Sequence, residues 1–181
     1  MNLLKNGMFF DLGLHTSDYN QEIAITSAIF DLQKRFTLVL IHEYLDESLV
    51  LMKRKLCWDT DDVIYLRSAF PQLPSPDITL SLRAKKAFSK WNKADWMLYE
   101  FFNATLWESI RSKEGFYTEV RNFKDRQKEI GLYCSGNFKE TQSFALAQLN
   151  FTSRAKAKDV CEKMAMSQED YLQYFRQKYL S

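Results

Sequence analysis

Residues 36–58 read Phe36-Thr37-Leu38-Val39-Leu40-Ile41-His42-Glu43-Tyr44-Leu45-Asp46-Glu47-Ser48-Leu49-Val50-Leu51-Met52-Lys53-Arg54-Lys55-Leu56-Cys57-Trp58. The first six are aliphatic, aromatic and β-branched without polar alternation, the pattern of a strand buried on both faces. Tyr44-Leu45-Asp46 then turns. Asp46 can cap a helix, Glu47 suits its first turn, and Leu49, Val50, Met52 and Leu56 continue at helical spacing. Lys53-Arg54-Lys55 closes the helix with the charge its dipole favours. Strand, tight turn and helix make half of a βαβ unit. A strand apolar on both faces needs neighbours to satisfy its amides, yet the chain offers only two weak candidates, Met8-Phe9-Phe10 and Val63-Ile64-Tyr65-Leu66. The expectation is an α/β fold, mostly helical with one clear buried strand, forming the C-terminal part of a larger domain.

Upstream, Ile23, Ala24, Ser27, Ile29 and Phe30 recur at helical spacing behind Asp18 or Asn20 as N-caps, predicting a helix to Arg35. Downstream, Phe70 to Pro76 holds all three prolines and reads as a loop. Helices are predicted over Ile78–Phe88, Ala94–Ile110 and Phe116–Ile130. Leu98, Tyr99, Phe102, Leu106 and Ile110 lie on one face of the second, with Gly115 as a stop. Asn137 to Asn150 is polar and irregular. Val160 to Met164 is apolar, and Ser167-Gln168-Glu169-Asp170 starts a last helix through Tyr179.

With 46% hydrophobic and 15% aromatic residues, the 181-residue chain can bury a core, which excludes disordered and low-complexity classes. Its 25 Lys+Arg against 23 Asp+Glu leave a net charge of +2, too balanced for a dedicated polyanion or nucleic-acid binder. The five glycines, Gly7, Gly13, Gly115, Gly131 and Gly136, form neither a Walker A loop nor GxGxxG, so no familiar nucleotide cradle is encoded. No signal peptide or membrane span is legible: read literally, that describes a soluble cytosolic protein, and read as a fragment, it places any anchor upstream of Met1, two readings between which composition does not choose.

Cys57, Cys134 and Cys161 have no CxxC spacing, and neither His15 nor His42 has a cysteine close by, so no metal site is expected. Cys57 reads as a buried small hydrophobe, whereas Cys134 and Cys161 flank polar sequence and pair only in an oxidising compartment. The densest polar cluster is His42-Glu43-Tyr44-Leu45-Asp46-Glu47-Ser48. At a strand's carboxyl end it is well placed for a ligand. Capping accounts for Asp46 and Ser48; it does not account for His42 and Glu43, either of which could act as a base. Asp59, Asp61 and Asp62 lack the glycine and glutamate of a calcium loop and read as caps. Arg83, Lys85, Lys86, Lys90 and Lys93, interleaved with Phe88, Trp91 and Trp96, read as a solvated face rather than a phosphate track. Trp96, Tyr99, Phe101, Phe102 and Trp107 read as core. Asn103-Ala104-Thr105 and Asn150-Phe151-Thr152 match the N-glycosylation pattern.

The block from Leu38 to Trp58, followed by Asp61-Asp62-Val63-Ile64-Tyr65, resembles a segment of the galactose 3-O-sulfotransferases, the family that includes galactosylceramide sulfotransferase. The resemblance runs upstream through Asn6, Met8, Phe9, Asp11 and Gly13, and downstream through Asp95-Trp96-Met97-Leu98-Tyr99-Glu100-Phe101-Phe102-Asn103-Ala104-Thr105-Leu106-Trp107. Around Cys161 and Tyr171 it is looser, and Leu66-Arg67-Ser68-Ala69-Phe70-Pro71 departs from the family pattern. The resemblance implies a Golgi membrane enzyme, facing the lumen, that transfers sulfonate from PAPS to the 3-hydroxyl of a terminal galactose on a glycolipid or glycoprotein glycan. It further implies that residues 1–181 are the C-terminal part of one P-loop-like sulfotransferase domain, with the N-terminal anchor and PAPS-binding half absent and the isolated chain inactive. Glu43, Tyr44, Asp46, Glu47 and Ser48 would then face the acceptor or support its site, with the catalytic residues in the missing half. An oxidising lumen would favour a Cys134–Cys161 disulfide and glycans on Asn103 and Asn150. The alternative is an inactive helical binding or regulatory module derived from the same fold.

Overall fold

The structure, a computed structural model, describes residues 5–65, 81–134 and 151–179, the side chains of 151–157 aside. The chain divides into two compact units, one formed by Met1–Met52 with Pro74–Phe116 and the other by Lys53–Leu73 with Tyr117–Ser181. The helices in chain order are α1 (Gly7–Asp11), α2 (Glu22–Arg35), α3 (Leu45–Leu56), α4 (Leu82–Trp91), α5 (Lys93–Arg111), α6 (Phe116–Cys134), α7 (Phe151–Ala165) and α8 (Gln168–Tyr179). Single 3-10 turns occupy Thr16–Asp18, His42–Tyr44 and Thr60–Val63.

The first unit is organised by α5. Ala94, Leu98, Phe102, Leu106 and Ile110 are buried at intervals of one turn, which keeps a single stripe on the core side of a 3.6-residue helix. Helices α1, α2 and α4 pack on α5. Helix α2 contributes Ile25, Ile29 and Leu32, and Phe30 meets Phe101 edge to face at 5.6 Å. Neither Asp18 nor Asn20 caps α2. Its N-cap is Gln21, and the Asp18 carboxylate instead accepts from the Gln21 side chain at 3.1 Å.

Helices α1 and α5 cap one another. Asn6, fully buried and held in the left-handed region at φ 52°, accepts the Ala94 and Asp95 amides on Oδ1 at 3.1 and 3.2 Å. In return the Asp95 carboxylate accepts the Met8 and Phe9 amides at 3.2 and 2.9 Å, and Asn92 Oδ1 accepts the Asn6 amide at 2.8 Å. Amides that a helix start leaves unpaired are thus satisfied from a segment 86 to 89 residues away. Met8-Phe9-Phe10, a weak strand candidate by sequence, is helical because of this arrangement.

Residues 36–41 are not the buried strand that their composition suggests. The backbone is extended at both ends, with φ/ψ of −93°/121° at Phe36 and −106°/120° at Ile41. No strand occurs among the described residues, however, and Phe36 and Leu40 are 44% and 40% exposed. Local preference extends a β-branched segment, but only a partner's ladder makes it a strand. Val63, in the other weak candidate, ends a 3-10 turn, and Leu66 lies outside the described residues. The mostly helical expectation holds; the buried strand does not.

In the second unit, Val120, Phe123, Gln127 and Ile130 form the buried face of α6. Glu119 receives Lys53 and Arg54 together, Arg126 grips both Asp61 oxygens at 2.9 Å, and Gln127 Nε2 donates to the Tyr65 carbonyl at 3.2 Å. Asp59 and Asp62 close their turn locally, the Asp59 amide donating to Asp62 Oδ2 at 2.8 Å. Cys134 and Cys161 form a disulfide joining α6 to α7. Ser167 caps α8 by accepting the Asp170 amide at 3.2 Å. Cys57 departs from its reading as a buried hydrophobe: it is an exposed free thiol at φ 54°. It takes the left-handed position that ends α3, where the Trp58 amide reaches back to the Lys53 carbonyl at 3.0 Å.

Replacing Asn6 or Asp95 by alanine is expected to cost about 2 kcal/mol each in urea unfolding, because each removes the acceptor for two amides. A loss below about 0.5 kcal/mol would show that water replaces the cross-caps freely. Burial pushes the Glu119 carboxyl up, but hydrogen bonds from Lys53 and Arg54 outweigh it and hold it below the ordinary 4.5. Its contribution is therefore present above pH 4.5 and lost as pH falls through the lowered value. Unfolding midpoints measured against pH should show this acid loss in the native chain and less of it in Glu119→Gln.

Candidate functional site

Two adjoining cavities in the first unit share Met8, Glu43 and Tyr99 in their walls. The smaller, about 470 Å³, adds Phe88, Trp96, Asn92 and Asp95. The larger, about 690 Å³, is mostly apolar, with Phe36 and Phe102 beside its aliphatic residues and Asp11 and His42 among its polar groups. Both volumes fall within the range of small-ligand sites.

Each wall residue is placed by a local cause. Met8 sits on α1, and Trp96 and Tyr99 on α5, the two helices locked by the cross-caps. Ser48 Oγ, fully buried, accepts the Ile41 amide at 3.0 Å and donates back to the Ile41 carbonyl at 3.4 Å. That clip fixes the entry to the His42–Tyr44 turn, so Glu43 projects from a turn anchored at its base. The next residue, Tyr44, packs edge to face on Trp107 with ring centroids 4.8 Å apart.

Of the five candidates in the Glu43–Ser48 segment, the structure places Glu43 in both cavity walls. Tyr44 packs against α5, Asp46 is buried in the first turn of α3, Ser48 holds the backbone, and Glu47 is half-buried. Ser48 therefore holds the backbone at Ile41. His42 lines the larger cavity. Arg83, Lys85, Lys86 and Lys90 are exposed, and Lys93 pairs with Glu22 at 2.9 Å.

Trp96, Tyr99 and Phe88 line the cavities, and sequence reading missed all three. Trp96, read as core, is 40% exposed and faces the smaller cavity; Phe88 is 51% exposed. The signal was available in the helical phase: Trp96 stands two residues, about 200°, from the Ala94 stripe. Among other candidates, Asn103 is half-buried within α5, with its Oδ1 buried and unpartnered, while the Thr105 hydroxyl donates to the Phe101 carbonyl at 2.9 Å. Asn150 lies outside the described residues.

Chemically, the smaller cavity combines aromatic faces with hydrogen-bonding groups. Burial raises the Tyr99 phenol above its ordinary value, with the charges of Glu43 and Tyr44 adding to the shift. It is a proton donor at neutral pH beside a carboxylate acceptor. Apolar ring faces with such donors and acceptors at their edges suit a polyhydroxylated ring that is apolar on one side. Phosphate is suited far less. The amides at the start of α5 are taken by Asn6, and the Asp95 carboxylate stands where an anion would bind. No group of three or more His, Cys, Asp or Glu among the described residues could hold a metal, and no described helix is long and apolar enough to cross a membrane.

Residues 1–150 match the family model described as galactose-3-O-sulfotransferase. The chain is 38% identical over 133 residues to galactose-3-O-sulfotransferase 2 of Homo sapiens, covering 72% of this chain and 33% of that protein. It is 35% identical over 133 residues to galactosylceramide sulfotransferase of Mus musculus, covering 72% and 31%. With galactose-3-O-sulfotransferase 3 of Bos taurus it shares 32% over 136 residues, covering 73% and 32%. The chain thus spans about a third of the length of these relatives. No solved structure matches it significantly.

Replacing Ser48 by alanine leaves the buried Ile41 amide without its acceptor. It should cost about 1–3 kcal/mol in urea unfolding, and a loss near zero would mean that the clip does not hold the Glu43 turn.

Proposed function

The chain belongs to the galactose-3-O-sulfotransferase family, and from that premise we propose that it serves sulfonate transfer to the 3-hydroxyl of a terminal galactose on a glycolipid or glycoprotein glycan. The donor proposed is PAPS, which supplies the activated sulfonate, and the setting is the lumenal side of the Golgi membrane. Both come from the family. The observation supporting an acceptor role for these residues is the smaller cavity, where Glu43 and Tyr99 share walls with Phe88 and Trp96.

In this reading Trp96 and Phe88 offer apolar faces to the sugar ring, and the Tyr99 hydroxyl and Glu43 carboxylate hold its hydroxyls. Glu43 accepts the proton of the 3-hydroxyl as that oxygen forms its bond to the sulfur of PAPS and the bond from sulfur to the phosphate oxygen breaks, PAP leaving with the electron pair; a carboxylate on an anchored turn and open to the cavity suits that role. Among the described residues, the amides at the start of α5 are taken by Asn6 rather than left for the phosphates of PAPS. We assign donor binding to the part of the family length that the match does not cover.

Calorimetry on the 181-residue chain should detect binding of methyl β-D-galactopyranoside and none of PAP; binding of neither would favour an inactive helical module. With labelled PAPS, the chain alone should transfer nothing to galactosylceramide, whereas a family-length enzyme carrying these residues should. Robust turnover by the 181 residues alone would overturn the donor assignment. In the family-length enzyme, Glu43→Gln should lower kcat at least about 100-fold, as loss of a general base does, and more than Asp46→Asn. Equal losses accompanied by lower melting temperatures would make both residues structural.

A further inference from the structure

Helix α4 packs on α5, yet none of its ten residues is buried. Leu82 is 86% exposed, Phe88 51% and Trp91 39%, and Trp96 in the first turn of α5 adds an indole 40% exposed. The helix also carries Arg83, Lys85, Lys86 and Lys90, all exposed, and no acidic residue. None of these four pairs with a carboxylate among the described residues, whereas Lys93, just beyond, pairs with Glu22. The whole chain has a net charge of only +2, so outside α4 its sequence is net acidic. At about 100° per residue, Phe88 and Trp91 fall about 60° apart, with Lys85 on one flank, Arg83 on the other, and Lys86 and Lys90 behind.

A solvated face accounts for the cations but not for a leucine and two aromatic rings left in water beside them. We propose that α4, with Trp96 next to it, docks the chain on an anionic lipid surface. Two independent features carry the proposal. Exposed apolar side chains suit the boundary between headgroups and acyl chains, and the flanking cations complement anionic headgroups, their long stems reaching along the apolar face. The cations are spread around one helix rather than converging on a cleft, which suits an extended charged surface rather than a single anion. The proposal goes beyond the galactose reading and does not require it. Phe88 also lines the smaller cavity, so a bilayer held by α4 would lie beside that cavity.

The test is co-sedimentation of the 181-residue chain with vesicles of phosphatidylcholine alone and of phosphatidylcholine mixed with phosphatidylglycerol, neither containing a sugar lipid. Each cation near an anionic surface is worth about fivefold in affinity, so the mixed vesicles should bind at least about 25-fold more tightly. Added salt should shrink that advantage. Replacing Arg83, Lys86 and Lys90 together by glutamine should remove most of it. Leu82→Ser combined with Trp91→Ser should weaken binding at least about tenfold with every cation in place. All five positions are exposed, and circular dichroism confirms that both variants are folded. Equal affinity for the two vesicles, or binding undiminished in the charge variant, would overturn the proposal. Full binding by the Leu82/Trp91 variant would mark a plain polyanion site, and dimers that form without vesicles and vanish in both variants would place a second copy on α4; either result overturns the lipid assignment. Loss of vesicle binding leaves the calorimetry with methyl galactoside untouched, so the two readings fail separately.

Discussion

Everything in the first unit hangs on an exchange of caps between two helix starts. Asn6 accepts the amides at the start of α5, and Asp95, in the first turn of α5, accepts those of α1. A five-residue helix such as α1 is too short to persist by itself. It exists here because a carboxylate satisfies its first amides and opposes the positive end of its dipole. Burying Asp95 is tolerable for the same reason, since the charge is met by two N–H groups rather than left in apolar surroundings. The exchange also holds Asn6 in a left-handed conformation that asparagine tolerates better than most residues.

That constraint reaches the site directly. With α1 fixed against α5, Met8 is set opposite Trp96 and Tyr99, and the second clip, Ser48 on Ile41, sets the turn that carries Glu43. Helices and one anchored turn therefore build the smaller cavity, whereas the extended segment 36–41 supplies much of the wall of the larger. Phe88 and Trp96 of α4 and α5 bring aromatic faces to the smaller cavity, and Phe36, Leu38, Val39, Leu40 and Ile41 bring apolar side chains to the larger.

The helices were legible in the sequence wherever an apolar stripe repeats at one-turn spacing, as in Ala94, Leu98, Phe102, Leu106 and Ile110, or where a cap lies beside its helix, as at Ser167. What failed were features decided by distant residues. Phe36–Ile41 carries the composition of a buried strand, but strandedness belongs to a pair of segments and composition describes only one. Asn6 could not be read as a cap, because the amides it serves lie 88 and 89 residues away. At Cys57 the left-handed helix end was hidden because glycine usually marks it. In the candidate site, Glu43 stood out as a residue that capping did not explain. Trp96 was concealed by the habit of assigning tryptophan to the core, although the phase of α5 already turned it away, and Phe88 by its place among the lysines of a solvated face.

The most direct measurement is residue-resolved amide hydrogen exchange on the 181-residue chain, with and without methyl β-D-galactopyranoside. If reciprocal capping underlies a pre-formed acceptor site, the amides of Met8, Phe9, Ala94 and Asp95 will rank among the most protected in the first unit. The sugar will then add protection around Glu43 and along Trp96–Tyr99. Exchange of those four amides at open-loop rates, or protection that the galactoside leaves unchanged around Glu43 and Trp96, would contradict the account.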